Sequence, residues 1–121
     1  MNIAIRGVRE PRGDDDGYRV LADRLWPRGL SKEHADWDRW AKEVAPSAEL
    51  RTWWRHDEAR RAEFAARYRA ELDGNPVLDE LRAAAIERGA LTLLTATHDP
   101  AASHLPVLRD VLAAEGVQHW P

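Results

Sequence analysis

The run LTLLTAT (91 to 97) is apolar and β-branched almost without a break. A strand with one solvated face alternates in polarity, whereas a strand covered on both faces reads as a near-continuous hydrophobic run. This stretch therefore predicts a central strand with other elements layered over it. Two earlier stretches supply partners: NIAIRG (2 to 7) alternates apolar and polar residues, and YRVLADRL (18 to 25) is a strand stopped by Pro27 and Gly29. Between them PRGDDDG (11 to 17) is rich in turn formers and has no helical pattern. These two strands are thus expected to pair antiparallel or to lie apart, without a right-handed helical crossover between them.

Helices fill most of the remainder. Ser47 is placed to cap SAELRTWWRH, and Asp57 to cap EARRAEFAARYRAEL, whose Phe64, Tyr68 and Leu72 recur every four residues. Gly74 ends that helix, Asn75 caps the next, and Pro76 takes its first position, where a missing N–H costs least. This helix runs to Gly89 and buries Leu78, Leu81 and Ala85. After the loop HDPAA, Ser103 caps a last helix that presents Val107, Leu108, Val111 and Leu112, with Pro106 in its first turn and Gly116 closing it. VQHW then reads as an added edge strand. HADWDRWAKEV keeps helical spacing at Trp37, Trp40 and Val44, but Pro27 and Pro46 confine it to a short helix or irregular turn. The sum is an α/β protein: a small mixed sheet of three to four strands flanked by helices, in a single domain spanning 1–121.

Composition narrows the function classes. Hydrophobic residues at 44% are enough for a core in a chain of 121 residues, despite a mean hydropathy of -0.61. A net charge of -3 and a pI near 5.9 disfavour a dedicated nucleic-acid binder and a protein drawn to anionic membranes. Cysteine is absent, which removes thiolate nucleophiles, disulfides and cysteine-held metal centres. No apolar window approaches a membrane span and the N-terminus is too short in apolar residues for a signal peptide, so a cytoplasmic location is expected. GxGxxG, Walker and GxSxG patterns are missing, and no motif names a cofactor.

Chemistry-bearing residues gather where strands end. In open α/β sheets, ligands favour the carboxyl ends of strands, near helix N-termini. LTLLTAT delivers Thr97, His98 and Asp99 there, with His104 in the first turn of the following helix. DRLWPRG delivers Asp23, Arg24, Trp26 and Arg28, whose guanidinium groups suit phosphate or carboxylate. The structural alternative pairs Asp23 with an arginine, uses Trp26 as a plug and makes Pro27 and Gly29 a turn. His98, Asp99 and His104 could serve as acid, base or metal ligands, or merely start a turn and a helix. Asp14, Asp15 and Asp16 read as a solvated loop; no metal site is assigned. Of Trp53 and Trp54 only one can point inward.

DDGYRVLADRLWPRGLSKE, APSAELRTWWRHD and FAARYRAEL together resemble the YeaO-like family of uncharacterised proteins, the DUF488 domain, with DRLWPRG intact at Asp23 to Gly29. The resemblance covers nearly the whole chain and implies a small cytoplasmic α/β domain, without implying an activity or cofactor. It also marks Arg19, Asp23, Arg24, Arg28, Ser47, His56, Asp57, Arg69, Asp99 and His104 as family-typical polar positions. Members commonly carry Phe-Gly where this chain has Trp54-Arg55, a basic residue at His98 and Asn at Ser103.

The expected function is binding of a small anionic ligand, phosphate- or carboxylate-bearing, by Arg24, Trp26, Arg28, Ser47 and His56. Any catalysis would be acid-base or hydrolytic, using Asp23, Asp99 or His104. The alternative is a regulatory module docking a protein or nucleic acid through its Trp and Arg surface, with DRLWPRG mainly structural.

Overall fold

The computed structural model describes residues 2–118. Its elements are β1 (Ile3–Gly7), β2 (Tyr18–Leu21), β3 (Arg39–Trp40), α1 (Ala48–Trp54), α2 (Arg61–Leu72), α3 (Pro76–Arg88), β4 (Leu91–Thr95) and α4 (Leu105–Gln118). The strands form one sheet in the order β1-β4-β2-β3. Leu91 stands opposite Ile3 on one side and Tyr18 on the other, and all five residues of β4 are buried. The expected double cover is present. Leu91 and Leu93 join a main core with Phe64, Tyr68, Leu72, Leu78, Leu81, Leu108 and Leu112 from the helices, while Leu94 packs with Leu21 and Val8 beneath Trp37 and Trp40.

The α/β class and the number of strands agree with the sequence, but every ladder is parallel, where a mixed sheet is expected. The early strands lie apart because β4 is inserted between them. Ten residues of loop, 8–17, carry the chain from the carboxyl end of β1 back to the start of β2. A chain of that length reaches roughly 33 Å, more than a strand length of about 17 Å combined with two inter-strand steps of about 5 Å each, so no helix is required. At the end of this return Gly17 (φ 62) lies so close to the neighbouring strand that an added Cβ would stand 2.2 Å from the Ala90 carbonyl oxygen.

Arg19 ties the return loop down. Its fully buried guanidinium donates to Asp16 Oδ2 at 2.6 Å, to the Glu10 carbonyl at 2.9 Å and to the Asp36 carbonyl at 2.7 Å. The helix caps follow the expected chemistry: Ser47 Oγ accepts from Leu50 N, Asn75 Oδ1 from Val77 N and Ser103 Oγ from Leu105 N. Asp57 caps a single tight turn, Glu58–Arg60, that leads into α2.

Three expectations require correction. HADWDRWAKEV contains no α-helix; it holds strand β3 and a tight turn at Lys42–Val44, and its tryptophans converge on Trp26 through a strand and loop. Strand β2 stops at Leu21, four residues early, because Asp23 leaves the ladder to meet β4's exit. Helix α4 runs through Gly116, so Val117 and Gln118 are helical and form no edge strand; His119 and Trp120 lie outside the described residues. Among the described residues no helix is long and apolar enough to cross a membrane.

Candidate functional site

Strands β2 and β4 are parallel neighbours, so the segments leaving them emerge on the same edge of the sheet. There a cleft of about 190 Å³ opens. The segment Asp23 to Arg28 forms one wall, Arg51, Trp54 and His56 another, and Ala96, Thr97 and His104 complete it. The DRLWPRG loop is anchored from behind. Trp40 Nε1 donates to the Asp23 carbonyl at 2.7 Å, Trp26 Nε1 donates to the Leu30 carbonyl, and Trp26 meets Trp37 and Trp40 edge-on, with centroids at 5.0 and 5.6 Å.

The cations of the cleft are used unequally. Arg24 donates to the carbonyls of Ala45 (3.1 Å) and Pro46 (3.3 Å), which fixes the turn before α1. The guanidinium groups of Arg28 and Arg51 have no carboxylate or carbonyl partner among the described residues. Among the described residues Asp23 is not paired to an arginine: its Oδ2 accepts from Ala96 N at 2.7 Å, and its Oδ1 is sealed from solvent with no hydrogen-bond donor. Leaving a buried acceptor unmade costs about 1–3 kcal/mol, and such residues are commonly retained at functional sites.

His104 is buried against this carboxylate. Its Nε2 lies 2.7 Å from the Ala22 carbonyl and 3.7 Å from Asp23 Oδ1. A carbonyl only accepts, so Nε2 carries the proton and donates to it. Burial pushes the ring below the ordinary imidazole value, outweighing the opposite pull of Asp23 and the Ala22 carbonyl, while His56 and Arg51 depress it further. The ring is therefore neutral near pH 7 and its edge packs on Tyr68.

The opposite wall carries backbone strain. Arg55 (φ 52) and His56 (φ 55) are consecutive left-handed residues that are not glycine, at the C-terminus of α1. The His56 ring stacks on Trp54 at 4.5 Å, and Trp54 stacks on Phe64 at 3.8 Å. Strain at a cleft wall is characteristic of sites where side-chain placement matters more than local energy. Trp54 is the inward member of its pair; Trp53 is half-buried between the guanidinium groups of Arg60 and Arg67.

Arg24, Trp26, Arg28, Asp23, His56 and His104 are thus brought to one place, whereas Ser47, Asp99 and His98 are not. Ser47 caps α1 and bonds Glu71 through both its N–H and its hydroxyl. Asp99 caps the short turn before α4 by accepting from Ala101 N. His98 borders a separate shallow hollow with Arg9 on the far side of β4. No three carboxylates or imidazoles converge as a metal site among the described residues. Sequence reasoning missed Arg51 as a cleft residue. The available signal was its position three residues before the inward Trp54 on α1, which places both on one helix face.

A small α/β domain with a cation-edged cleft at the carboxyl ends of parallel strands is the class that these features define. Within that class the chain belongs to the DUF488 family: a family model described as "Inactive DUF488-N3 subclade" matches residues 2–119. The chain is 44% identical over 110 residues to the uncharacterized protein Rv3073c of Mycobacterium tuberculosis, covering 91% of this chain and 92% of that one. It is 38% identical over 112 residues to the uncharacterized protein YeaO of Escherichia coli, covering 93% and 97%. No solved structure matches the chain.

Proposed function

We propose that this protein acts in the cytoplasm as a binding domain for a small oxyanion-bearing ligand, held in the cleft between the DRLWPRG loop and α1, without turning it over. The observation that carries the reading is the pair Arg28 and Arg51, which line one cleft and have no protein acceptor for their guanidinium groups among the described residues. Arginine forks of this kind match phosphate and carboxylate geometry. Three features argue for binding without catalysis. The His104 proton is committed to the Ala22 carbonyl, Asp99 is spent on a cap outside the cleft, and the subclade carries the description inactive.

Backbone amide shifts recorded during titration with methyl phosphate and with inorganic phosphate test this. Saturable shifts confined to residues 23–28, 51–56 and 96–104 are expected. Shifts spread over the surface, or absent at millimolar anion, would rule the reading out.

A further inference from the structure

We propose, resting on the anion-binding reading above, that the cleft selects an oxyanion carrying its own hydrogen-bond donor, a phosphate monoester or free phosphate in its protonated monoanionic form, over acceptor-only anions such as sulfate. The reason is Asp23. A cleft built only to collect negative charge would exclude carboxylates, yet Asp23 lines it together with two guanidinium groups that have no partner among the described residues. A carboxylate accepts about four hydrogen bonds and brings no donor; Asp23 receives a single one, from Ala96 N.

Among the described residues the protein offers it nothing further. The nearest candidate, His104 Nε2–H, is used by the Ala22 carbonyl at 2.7 Å and stands 3.7 Å from Oδ1. Arg24 is bound to the Ala45 and Pro46 carbonyls. Oδ1 is sealed in the wall, so a ligand P–OH meets the carboxylate at Oδ2, whose bond to Ala96 N is exposed and leaves it a further lone pair, while the anionic oxygens take Arg28 and Arg51. An acceptor-only dianion meets the same arginines but faces Asp23 with like charge and no hydrogen to share, which disfavours it. Arg24, Leu25 and Trp26 line the cleft, and their backbone N–H groups have no acceptor among the described residues. The cleft volume of about 190 Å³ is below that of pockets holding drug-sized molecules, which limits the ligand to the phosphoryl group and a small substituent.

The test is calorimetric titration of the full chain with methyl phosphate, inorganic phosphate and sulfate at pH 5.5 and pH 8, in wild type and Asp23→Asn. Methyl phosphate should bind wild type about tenfold more tightly than sulfate at pH 5.5, the worth of one hydrogen bond to a charged group. That preference should fade by pH 8, above the second ionisation of a monoester near pH 6. Asp23→Asn, which offers an amide donor in place of the carboxylate, should bind sulfate more tightly and lose the preference. Equal affinity for methyl phosphate and inorganic phosphate identifies the bare phosphoryl group as the determinant, and tighter monoester binding identifies the ester; both support the proposal. Sulfate binding wild type as tightly as methyl phosphate at pH 5.5 overturns the selectivity and leaves the anion-binding reading standing. Binding of none of the three overturns both. The wild-type comparison decides the matter even if Asp23→Asn fails to fold.

Discussion

Replacing Arg19 by Met removes a fully buried guanidinium while keeping most of its volume, and it should be among the most destabilising single changes available outside the hydrophobic core. The side chain donates to Asp16 Oδ2, the Glu10 carbonyl and the Asp36 carbonyl, so one residue joins the return loop and the approach to β3 to the central strands. Breaking a buried pair by deleting one partner typically costs about 3–5 kcal/mol, because the other charge stays behind uncompensated. Asp16 keeps one compensation, the Gly13 N–H at 3.1 Å, which places the expected loss toward the lower part of that range. A domain of this size is stable by about 5–15 kcal/mol, so Arg19→Met should lower Tm by roughly 10–15 °C. Urea unfolding followed by tryptophan fluorescence measures it. A loss below about 1 kcal/mol would refute the view that Arg19 holds the return loop in place of a crossover helix.

The same geometry sets other outcomes. Arg55→Gly should stabilise the protein by about 0.5–1 kcal/mol, since the exposed Arg55 holds a left-handed conformation at the helix end that glycine adopts freely; an unchanged urea midpoint would contradict this. Gly17→Ala should destabilise by more than about 2 kcal/mol, as its Cβ collides with the Ala90 carbonyl and its φ is positive, and a wild-type midpoint would show that the strands can part there cheaply. His104 has a depressed folded value, so the unfolded chain binds its proton first on acidification. Stability should therefore fall as pH drops below about 6.5, until the folded value is reached, and His104→Gln should flatten that part of the profile. The carboxyls of Asp16, Asp38 and Glu80 are held low by hydrogen bonds and arginine partners that outweigh the cost of burying Asp16 and Asp38, so their contribution disappears only at lower pH, below about 4, and separates from the histidine phase.

Much of the fold was legible because local chemistry agrees with the tertiary structure. LTLLTAT reads as a doubly covered strand and is one, and the caps at Ser47, Asn75 and Ser103 are chemical signals that need no distant partner. The features that escaped are non-local. A two-residue strand at Arg39–Trp40 has no periodicity of its own; it exists because Asp38 N and Ala41 N find the carbonyls of Arg19 and Leu21. The parallel alignment of β1 and β2 on either side of β4 depends on how far ten residues reach. For the cleft, the strand-exit motif marked Asp23, Arg24 and Arg28, but Asp99 and His104 are separated by five positions in sequence and by function in space. The first caps a turn, and the second is drawn under the sheet edge by the Ala22 carbonyl.

Anion binding in this cleft requires Arg28 and Arg51 to act together on one bound oxyanion. The most direct measurement is the affinity of methyl phosphate for wild type, Arg28→Ala, Arg51→Ala and the double variant by calorimetry. Each single change should weaken binding about tenfold and the double about a hundredfold, with unfolding midpoints unchanged because neither guanidinium has a protein partner among the described residues. Wild-type affinity in the double variant would contradict it.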